Sequence, residues 1–399
     1  MTNYLIRRAF QMLGVLLISA VASYLLINLA PGGPLQGLRQ LASNSRFQIT
    51  EEDIARKRAY YELDLFLPYR FSRWLIGVPT GPLVIGGNTY LADQVVGCRI
   101  PIEAEVVDSR GRYSIQTVGC EEEVTLAELE GRRTSKGILR GDFGTSWGIL
   151  RDRPVSLLVW SRLPRTLELM GLSIMISLLI AVPLGIYQAV KQYSSFDYAF
   201  TFVAFSGSSM PTFFFGIVMI LTLSILAKGA GLPWLPPGDA VGVREYFIPL
   251  LGTIQPGTLI DQVLHVLMPT AVLVLFNTSF YSRYVRSSML EVLRQNYVRT
   301  ARAKGLIEQV VILKHALRNA LIPFVTVVVF AIPGAFAGAI ITETVFNWPG
   351  MGRLFIDALG RSDYPVTMSI LLITAFLTVV ATLLGDILYT FVDPRIRYT

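Results

Sequence analysis

The feature that most constrains this chain of 399 residues is a set of six stretches without Asp, Glu, Lys or Arg. A helix needs about 20 apolar residues to cross the hydrocarbon core of a bilayer, because its backbone groups must be paired within the segment. Each of the six reaches that length: Ala9–Ala30, Leu169–Val190, Tyr198–Ala227, Gln262–Ser282, Asn319–Thr342 and Tyr364–Gly385. The sequence therefore predicts an all-α polytopic membrane protein with six transmembrane helices.

Composition excludes other broad classes of protein. Apolar residues make up 52% of the chain, charged residues 16%, and the mean hydropathy is +0.52, which excludes an ordinary soluble domain and a disordered or fibrous chain. A seventh uncharged stretch, Tyr246–Ile260, is only 15 residues long and contains two prolines and two glycines, so we interpret it as a loop. The first stretch continues well past the small residues at 20–22, which favours an uncleaved anchor over a signal peptide.

The distribution of charge predicts the orientation. Six spans place both termini on one side of the membrane, and the net charge of +7 is concentrated in one loop. The segment from Arg283 to Arg318 contains eight basic and two acidic residues, which gives it a net charge of +6. The rest of the chain has a net charge of +1. Because short cytoplasmic loops are enriched in Lys and Arg, we expect a multi-pass plasma (inner) membrane protein with this loop and both termini in the cytoplasm.

The long segment after the first span has a different character. Residues 84–126 alternate short β-branched or apolar pieces with turn residues, which predicts a small extracytoplasmic β element. The only two cysteines, Cys98 and Cys120, flank a predicted hairpin turn at 108–112. This spacing allows a disulfide across the hairpin in an oxidising compartment. Alternatively, the two cysteines are unrelated small core residues. The sequence leaves both interpretations open.

The sequence contains no recognisable catalytic or metal-binding pattern. It has no Gly-x-x-x-x-Gly-Lys-Ser/Thr loop for ATP and no Gly-x-Ser-x-Gly elbow. Its two histidines, His265 and His315, stand alone, and no closely spaced cysteines suggest a zinc site. The six stretches contain no ionisable residue except His265, which argues against a proton-coupled carrier. We therefore predict neither catalysis nor a cofactor nor a metal.

The basic loop is the most informative segment. Residues 291–320 contain two helical pieces separated at Gly305, and the first has a basic face with the small residues Ala301 and Ala303. A short helix of this form is suited to insertion into a cleft of another protein. Binding to anionic lipid headgroups would explain the charge, but not the combination of two helices around a glycine. The loop is therefore predicted to be a docking site for a partner protein.

This loop resembles the cytoplasmic signature of permease subunits of ATP-binding-cassette (ABC) importers: Glu-Ala-Ala, three residues, Gly, nine residues, then Ile-x-Leu-Pro. Arg299-Thr300-Ala301 occupy the first positions, Gly305 the glycine and His315-Ala316-Leu317-Arg318 the last. The residues of this loop are similar to the variant of the signature found in the dipeptide, oligopeptide and nickel importer branch. Within that branch they resemble the first (B-type) permease. The resemblance implies these ATPase-coupling residues: Arg299, Thr300, Ala301, Arg302, Lys304, Gly305, His315, Leu317 and Arg318.

The resemblance covers residues 1–35 and about 140–397, but not the middle of the external segment at 36–135. Further matching stretches are Gly141–Ser146, Arg162–Leu169, Ser209–Phe214, Glu343–Arg353 and Asp393–Arg395. It implies the fold of a type I ABC importer permease, with an N-terminal transmembrane helix at 1–30, an extracytoplasmic segment at 31–162 and a permease core at 163–392. The core would contain spans near 169–190, 198–227, 262–282, 319–342 and 364–385, and a coupling loop at 283–318.

The same resemblance implies a function and a set of partners. Such a subunit forms half of a translocation path that imports dipeptides, oligopeptides or similar small solutes, with ATP hydrolysed by partner subunits. The implied partners are a second homologous permease, two ABC ATPase subunits, an extracytoplasmic solute-binding protein and the lipid bilayer, without nucleic acid. The rival hypotheses are a channel or ion-driven carrier, a membrane-bound enzyme and a structural anchor. They are weaker because the spans lack charges, no nucleophile and base occur together, and an anchor needs no coupling loop.

Overall fold

A computed structural model of the protein describes residues 2–29, 35, 50–107, 113–132, 135–337 and 339–392. Within this described part, six helices are long and apolar enough to cross a membrane. They are Ile6–Leu29, Val155–Val190, Thr212–Gly229, Leu259–Leu293, Glu308–Ala335 and Tyr364–Ile387. The predicted fold class, a helical polytopic membrane protein with six spans and a small β element, is confirmed.

We number the longer helices in chain order. They are α1 (Thr2–Leu29), α2 (Glu51–Tyr60), α3 (Leu67–Ile76), α4 (Val155–Val190), α5 (Ser195–Ser209), α6 (Thr212–Met219), α7 (Leu259–Leu293), α8 (Asn296–Ala303), α9 (Leu317–Ala337), α10 (Ile340–Val345), α11 (Met351–Gly360) and α12 (Tyr364–Val392). Helix α6 continues through a π-helical segment, Ile220–Leu226, into a last turn, Ala227–Gly229. A turn at Glu308–Val310 and a π-helical segment, Val311–Ala316, lead into α9.

Three antiparallel hairpins and two short 3₁₀ helices complete the described elements. The hairpins pair β1 (Leu83–Ile85) with β2 (Asn88–Tyr90), β3 (Val95–Val107) with β4 (Tyr113–Thr125), and β5 (Tyr246–Ile248) with β6 (Gly252–Ile254). The 3₁₀ helices are Ala127–Leu129 and Ile138–Arg140. The register pairs Leu83 with Tyr90, Val106 with Ser114 and Tyr246 with Ile254.

The chain divides into two compact units. The helical unit comprises Met1–Leu17, Val159–Asp357 and Ile370–Thr399, and the mixed unit comprises Ile18–Leu158 and Ala358–Ser369. The main core of the helical unit lies where α4, α7, α8 and α9 meet, with Met289, Val298, Val311 and Ala316 buried in one cluster. Since these side chains come from elements before and after Gly305, burying them fixes the path of the chain through the basic loop.

Two predicted spans differ from single straight helices. The stretch 198–227 is broken between α5 and α6, where Met210 is extended (φ −83°, ψ 132°) ahead of Pro211. Proline has no amide hydrogen and disfavours helical geometry in the residue before it, so the break falls there. The stretch 319–342 divides as well, because α9 ends at Ala337 and α10 begins after Ala339, whose φ and ψ are −88° and 76°.

The stretch 246–260 forms the β5–β6 hairpin and then leads into α7, and it does not span. Thr258 caps α7 by accepting a hydrogen bond from the amide of Asp261 at 3.3 Å. The buried Asp261 carboxylate accepts hydrogen bonds from the amides of Gly242 (2.9 Å) and Gly257 (2.7 Å) and from the Tyr246 hydroxyl (2.8 Å). A charged acceptor with several donors thus ties the loop to the first turn of the helix.

The mixed unit is built around the β3–β4 hairpin. Its small core contains Leu65, Val96, Val124, Leu126 and Leu129. The structure joins Cys98 and Cys120 by a disulfide with their Cα atoms 5.9 Å apart. The predicted turn at 108–112 lies outside the described residues.

Two buried charges of the mixed unit are paired. Arg132 contacts Asp64 at 2.9 Å, and Arg73, which is fully buried, contacts Glu62 at 2.6 Å. Burial raises the pKa of Asp64, and the neighbouring Arg132 offsets part of that rise. Leaving the buried Asp64 or the buried Arg73 unpaired would cost more than the pair gains, so each pair holds its segment in place.

Candidate functional site

Helix α8, the centre of the predicted docking loop, is anchored by two side chains one turn apart. Val298 and Ala301 are buried at 0% and 6% exposure, in the cluster that also contains Met289 and Val311. Residues at i and i+3 lie on the same face of a helix. Ala301 therefore packs against the protein itself, and its small size lets α8 lie close to the π-helical segment Val311–Ala316, whereas Ala303 is exposed.

Gly305 ends α8 in a left-handed conformation, with φ +74°. The amide of Gly305 donates to the carbonyl of Arg302 at 2.9 Å, and the amide of Leu306 donates to the carbonyl of Ala301 at 3.4 Å. This pair of bonds is the Schellman motif, which favours glycine because a side chain is disfavoured at positive φ. The predicted glycine break is therefore a sharp, hydrogen-bonded helix end.

Arg302 and Glu308 bridge this turn. The guanidinium Nη2 lies 2.6 Å from one carboxylate oxygen of Glu308, and Nε lies 3.2 Å and 3.1 Å from the two oxygens. Both side chains are about half exposed, at 44% and 51%. A forked guanidinium and a carboxylate make a more directional contact than a single charge pair. The pair thus restrains the angle at which the chain leaves α8.

The outer face of α8 and the following turn is basic and partly apolar. Arg299, Thr300 and Lys304 are exposed, together with the large apolar side chain of Ile307, which is 72% exposed. No acidic partner is present among the described residues for five exposed cations on this loop: Arg294, Arg299, Lys304, Lys314 and Arg318. We call residues 294–318 on this side the basic face.

The residues of the second part of the signature differ in how deeply they are buried. Ala316 is fully buried and Leu317 packs against the same cluster, whereas Arg318 is exposed. His315 is half-buried, and its carbonyl accepts a hydrogen bond from Asn319 Nδ2 at 2.9 Å. The structure therefore places Ala301 and Leu317 in the supporting core, and Arg299, Lys304 and Arg318 on the surface.

A second feature of the helical unit is an open cleft of about 990 Å³ between α4, α7 and α9. Its walls are largely aromatic and aliphatic, and Phe276, Phe280 and Phe330 are 41–50% exposed. Asn277 supplies an amide, and none of the lining residues carries a charge. Glycine at position 334 opens one side, since a Cβ atom there would meet no other atom within 4 Å.

The stretch Glu343–Arg353 is held by a buried hydrogen-bond network. The carboxylate of Glu343, fully buried, accepts from Thr166 Oγ1 at 3.1 Å and from the amide of Arg353 at 2.9 Å. Thr166 Oγ1 in turn accepts from the amide of Met351 at 2.6 Å. Burial raises the pKa of Glu343, an effect that these hydrogen bonds offset in part. The network places an acceptor at the first turn of α11, where amides lack helical partners.

The mixed unit contains a comparable network around Asp363. Its buried carboxylate accepts hydrogen bonds from the Ser146 hydroxyl and from the amides of Trp147 (3.0 Å), Gly148 (2.9 Å) and Ile149 (3.0 Å). Three consecutive amides that converge on one carboxylate form a tight anion-binding loop. This contact holds the stretch Gly141–Ser146 near the residue that precedes α12.

Comparison with known families gives these features a context. Residues 181–398, more than half of the chain, match the model of the family described as binding-protein-dependent transport system inner membrane component. The chain belongs to this family. The protein is thus a membrane component of an ABC transport system and not an enzyme, and the family implies that other permease, ATPase and binding-protein components work with it.

Individual relatives of this permease extend the comparison. It is 42% identical over 261 residues to the oligopeptide transport system permease protein AppB of Bacillus subtilis, covering 65% of this chain and 78% of that protein. The dipeptide transport system permease protein DppB of Escherichia coli K12 is 39% identical over 279 residues, covering 66% of this chain and 78% of that protein. A protein of Brucella suis biovar 1 whose name describes a peptide permease aligns over 100% of both chains at 31% identity, so it also spans the external segment.

The sequence analysis did not identify several residues that support the basic loop. Asp197 accepts a hydrogen bond from Arg286 of α7 at 2.8 Å and from the amide of Tyr193 at 3.1 Å. Ser194 caps α5 by accepting from the amide of Asp197 at 3.2 Å. The spacing of Ser194 and Asp197 is typical of a helix start and could have indicated the cap. The pairing with Arg286, 89 residues away, has no signal in the local sequence.

Proposed function

We propose that this permease forms half of the translocation path of an importer for dipeptides or oligopeptides, and that ATPase subunits dock on its basic face. The observation that carries the proposal is α8, whose inner side is buried through Val298 and Ala301 while its outer side leaves cations exposed. A helix anchored in this way can transmit a displacement of the docked ATPase subunits to α7 and α9, because packed elements move together.

The peptide class of substrate is supported by the relatives named above, whose names specify oligopeptide and dipeptide transport. The uncharged, aromatic cleft between α4, α7 and α9 is the proposed wall of the path. Uncharged side chains can contact a solute without holding it in the path. A charged group would bind an oppositely charged solute too tightly for it to leave. The second permease would supply the facing wall.

The proposed orientation follows from the basic face. With the loop 283–318 in the cytoplasm, the positive-inside bias is satisfied and both termini are cytoplasmic. The disulfide of Cys98 and Cys120 would then lie outside the cytoplasm, where disulfides persist. A solute-binding protein would deliver substrate on that side.

The docking proposal is tested by reversing charges on the basic face. We expect Arg299→Glu combined with Lys304→Glu to reduce co-purification of the ATPase subunits about tenfold, because each reversal places like charges against an acidic partner surface. The matched control is Arg244→Glu, an exposed arginine in the loop before α7. Unchanged co-purification in the double variant would contradict the docking site.

The path is tested by filling the cleft. Gly334→Trp adds a large side chain in the cleft, whereas Gly171→Trp adds the same side chain at an exposed position of α4 outside the lining. We expect uptake of a radiolabelled dipeptide by proteoliposomes to fall strongly with Gly334→Trp and little with Gly171→Trp. Equal uptake by the two variants would show that the cleft is not the path.

A further inference from the structure

The uncharged stretch 246–260, which does not span, exposes a group of apolar side chains at the turn of the β5–β6 hairpin. Leu250, in this turn, is 93% exposed, and no large apolar side chain in the described part of the chain is more exposed. Its neighbours Phe247 and Leu251 are each more than half exposed. Single exposed apolar residues are common on any surface, whereas a contiguous group marks contact with a partner or a membrane.

Leu250 also has a backbone conformation that favours a different residue type. The amide of Leu251 donates to the carbonyl of Ile248 at 3.1 Å, so Pro249 and Leu250 are the central residues of a β-turn. The φ of Leu250 is +74°, which makes this a type II turn, and Gly or Asn is favoured at its position. Bulky residues are uncommon at positive φ, and strained residues concentrate at functional positions. The turn thus keeps an aliphatic side chain against the preference of its backbone.

Packing fixes the hairpin at the level of the ends of two spans. Its buried side chain Ile248 belongs to one cluster with Leu264 of α7, and Ala227, in the last turn after α6, packs against that cluster. Leu264 lies five residues into α7, about 7–8 Å along the axis. Leu250 is two residues from Ile248 and therefore within about 7 Å of it. The turn thus lies near the point where the uncharged part of α7, residues 262–282, begins.

The segment that leads to the hairpin turns back along the preceding span. The amide of Leu235 donates to the carbonyl of Leu223 at 2.9 Å. Leu223 lies six residues before the end of the candidate span Thr212–Gly229, about 9 Å along its axis. Leu235 also packs against the cluster that contains Met268, nine residues into α7. The loop between these two spans therefore descends below their ends instead of projecting into water.

The base of the hairpin contains residue types that favour a membrane–water boundary. Trp234 packs against Tyr246 with ring centroids 5.5 Å apart, and its indole Nε1 donates to the carbonyl of Phe247 at 3.2 Å. Nζ of Lys228 lies 4.3 Å from the centre of the Trp234 ring. Trp and Tyr are enriched where spans leave the hydrocarbon core, and long Lys side chains reach from there to the headgroups. These contacts agree with a base at headgroup level.

Charged groups lie at the base of the hairpin and not at its turn. The stretch 246–260 contains no charged residue, Arg244 and Glu245 precede it, and the buried Asp261 follows it. A protein interface combines apolar anchors with about one hydrogen bond per 100–200 Å², and the side chains of the turn, residues 249–251, offer no hydrogen-bonding group. An aliphatic turn above which all charges lie matches the layers of a bilayer better than it matches a protein surface.

We propose that the β5–β6 hairpin inserts its turn into the membrane leaflet on the side opposite to the basic face. Phe247, Leu250 and Leu251 contact the upper acyl chains, and the backbone of the turn stays at headgroup level, where water satisfies its polar groups. The first turn of α7 exposes Leu259 and Ile260, so the apolar surface of the span continues onto the hairpin. The hairpin is a shallow interfacial anchor, and none of its residues lines the proposed peptide path.

Site-directed spin labelling measures the depth of the turn. The native cysteines, Cys98 and Cys120, are joined in the disulfide, so a single introduced cysteine is labelled uniquely. The transporter complex with Leu250→Cys carries a nitroxide in phospholipid nanodiscs. Power saturation then reports collisions with oxygen, which concentrates in the bilayer, and with a nickel chelate, which stays in water. The matched control is Val243→Cys, 90% exposed in the same loop and next to Arg244.

The expected result is a difference between the two labels. We expect the label of Leu250→Cys to collide with the nickel chelate about tenfold less often than that of Val243→Cys, the ratio that burial of one aliphatic side chain implies. Its collisions with oxygen should be at least as frequent as those of the control.

The other outcomes identify other occupants, and each overturns the proposal. Rare collisions with both reagents mean that the second permease or another protein covers the turn. Frequent collisions with the nickel chelate that cease when the solute-binding protein is added mean that this protein docks there. Frequent collisions under all conditions mean that the turn lies in water.

A second label protects the test against a variant that fails to fold. Leu251→Cys places the nitroxide at the next position and should give the same result as Leu250→Cys. In this labelled chain, Leu250→Glu should raise collisions with the nickel chelate several-fold, because a carboxylate is costly among acyl chains, whereas Leu250→Met should not. Equal collision rates in the Glu and Met variants would contradict insertion.

Discussion

Arg302 and Glu308 form a forked ion pair across the left-handed turn at Gly305, with Nη2 2.6 Å from Oε1. The pair joins the last turn of α8 to the first residue of the segment that leads into α9. Because it brackets the turn, it restrains the orientation of α8 without contributing to the core. An exposed ion pair adds at most about 1 kcal/mol to the stability of the fold. We infer that the ion pair fixes the orientation of α8 and adds little to the stability of the fold.

The first prediction concerns this pair. Glu308→Gln removes the charge but keeps the shape, and we expect less peptide transported per ATP hydrolysed, because α8 becomes free to tilt when an ATPase subunit moves. The melting temperature should hardly change, since about 1 kcal/mol or less is lost. Glu291→Gln, in an exposed residue near the end of α7, is the matched control. An unchanged ratio of transport to hydrolysis would show that the pair does not position α8.

The second prediction concerns Gly305, whose φ is +74°. Gly305→Ala forces a side chain into the left-handed region at a cost of about 1–2 kcal/mol, and Gly305→Asn should cost less because Asn tolerates this conformation. We expect faster hydrogen exchange of the α8 amides in the Ala variant. Gly171→Ala, at a helical position with open space around it, should leave exchange of α8 unchanged. Identical exchange in both variants would contradict the Schellman end.

The third prediction concerns Gly350. A Cβ atom at this position would lie 2.4 Å from the carboxyl carbon of Glu343, so Gly350→Ala must displace a buried carboxylate. We expect a loss of about 1–3 kcal/mol, the usual cost of overpacking, measured by thermal unfolding in detergent. Gly229→Ala, where nothing lies within 4 Å, is the matched control.

A double-mutant cycle separates the clash from other effects of Gly350→Ala. Glu343→Ala removes the carboxylate that the new methyl group meets, but it also leaves the amide of Arg353 without its acceptor. The two substitutions touch the same atoms, so their effects should not add, and the double variant should be more stable than the sum of the single losses. Strict additivity would mean that the two residues do not meet.

The fourth prediction concerns Asp363. Asp363→Asn keeps the shape but replaces one acceptor oxygen by a donor, so part of the hydrogen bonding from Trp147, Gly148 and Ile149 is lost. We expect a loss of about 1–3 kcal/mol and faster hydrogen exchange at those three amides. Asp357→Asn, with a side chain 45% exposed and its nearest cation 3.9 Å away, is the control. Protected amides in Asp363→Asn would contradict the proposed role of the carboxylate.

Local sequence was sufficient for the membrane class, because a run of about 20 apolar residues can satisfy its backbone only as a spanning helix. It was also sufficient for the glycine break at Gly305, since the residues on either side favour helix and glycine ends it. The β character of 84–126 followed from short-range alternation, and β3 and β4 lie there.

The precise ends of the spans were harder to predict. Uncharged runs show where a helix can cross, but they do not show where it breaks. The stretch 198–227 is free of charge throughout, yet the chain turns at Met210–Pro211 between α5 and α6. Proline in a spanning helix is tolerated when neighbouring groups satisfy the freed backbone. Only the packing around it decides between a kink and a break.

Tertiary structure alone decided which way side chains face and which distant residues meet. Ala301 belongs to the matching signature, but whether it faces a partner or the protein depends on how α8 packs, and it is buried. Thr166 meets Glu343 across 177 positions, and Ser146 meets Asp363 across 217. Hydrogen bonds act over about 3 Å, so they depend on the path of the whole chain. Local patterns determine the elements, and only their packing brings such groups within that distance.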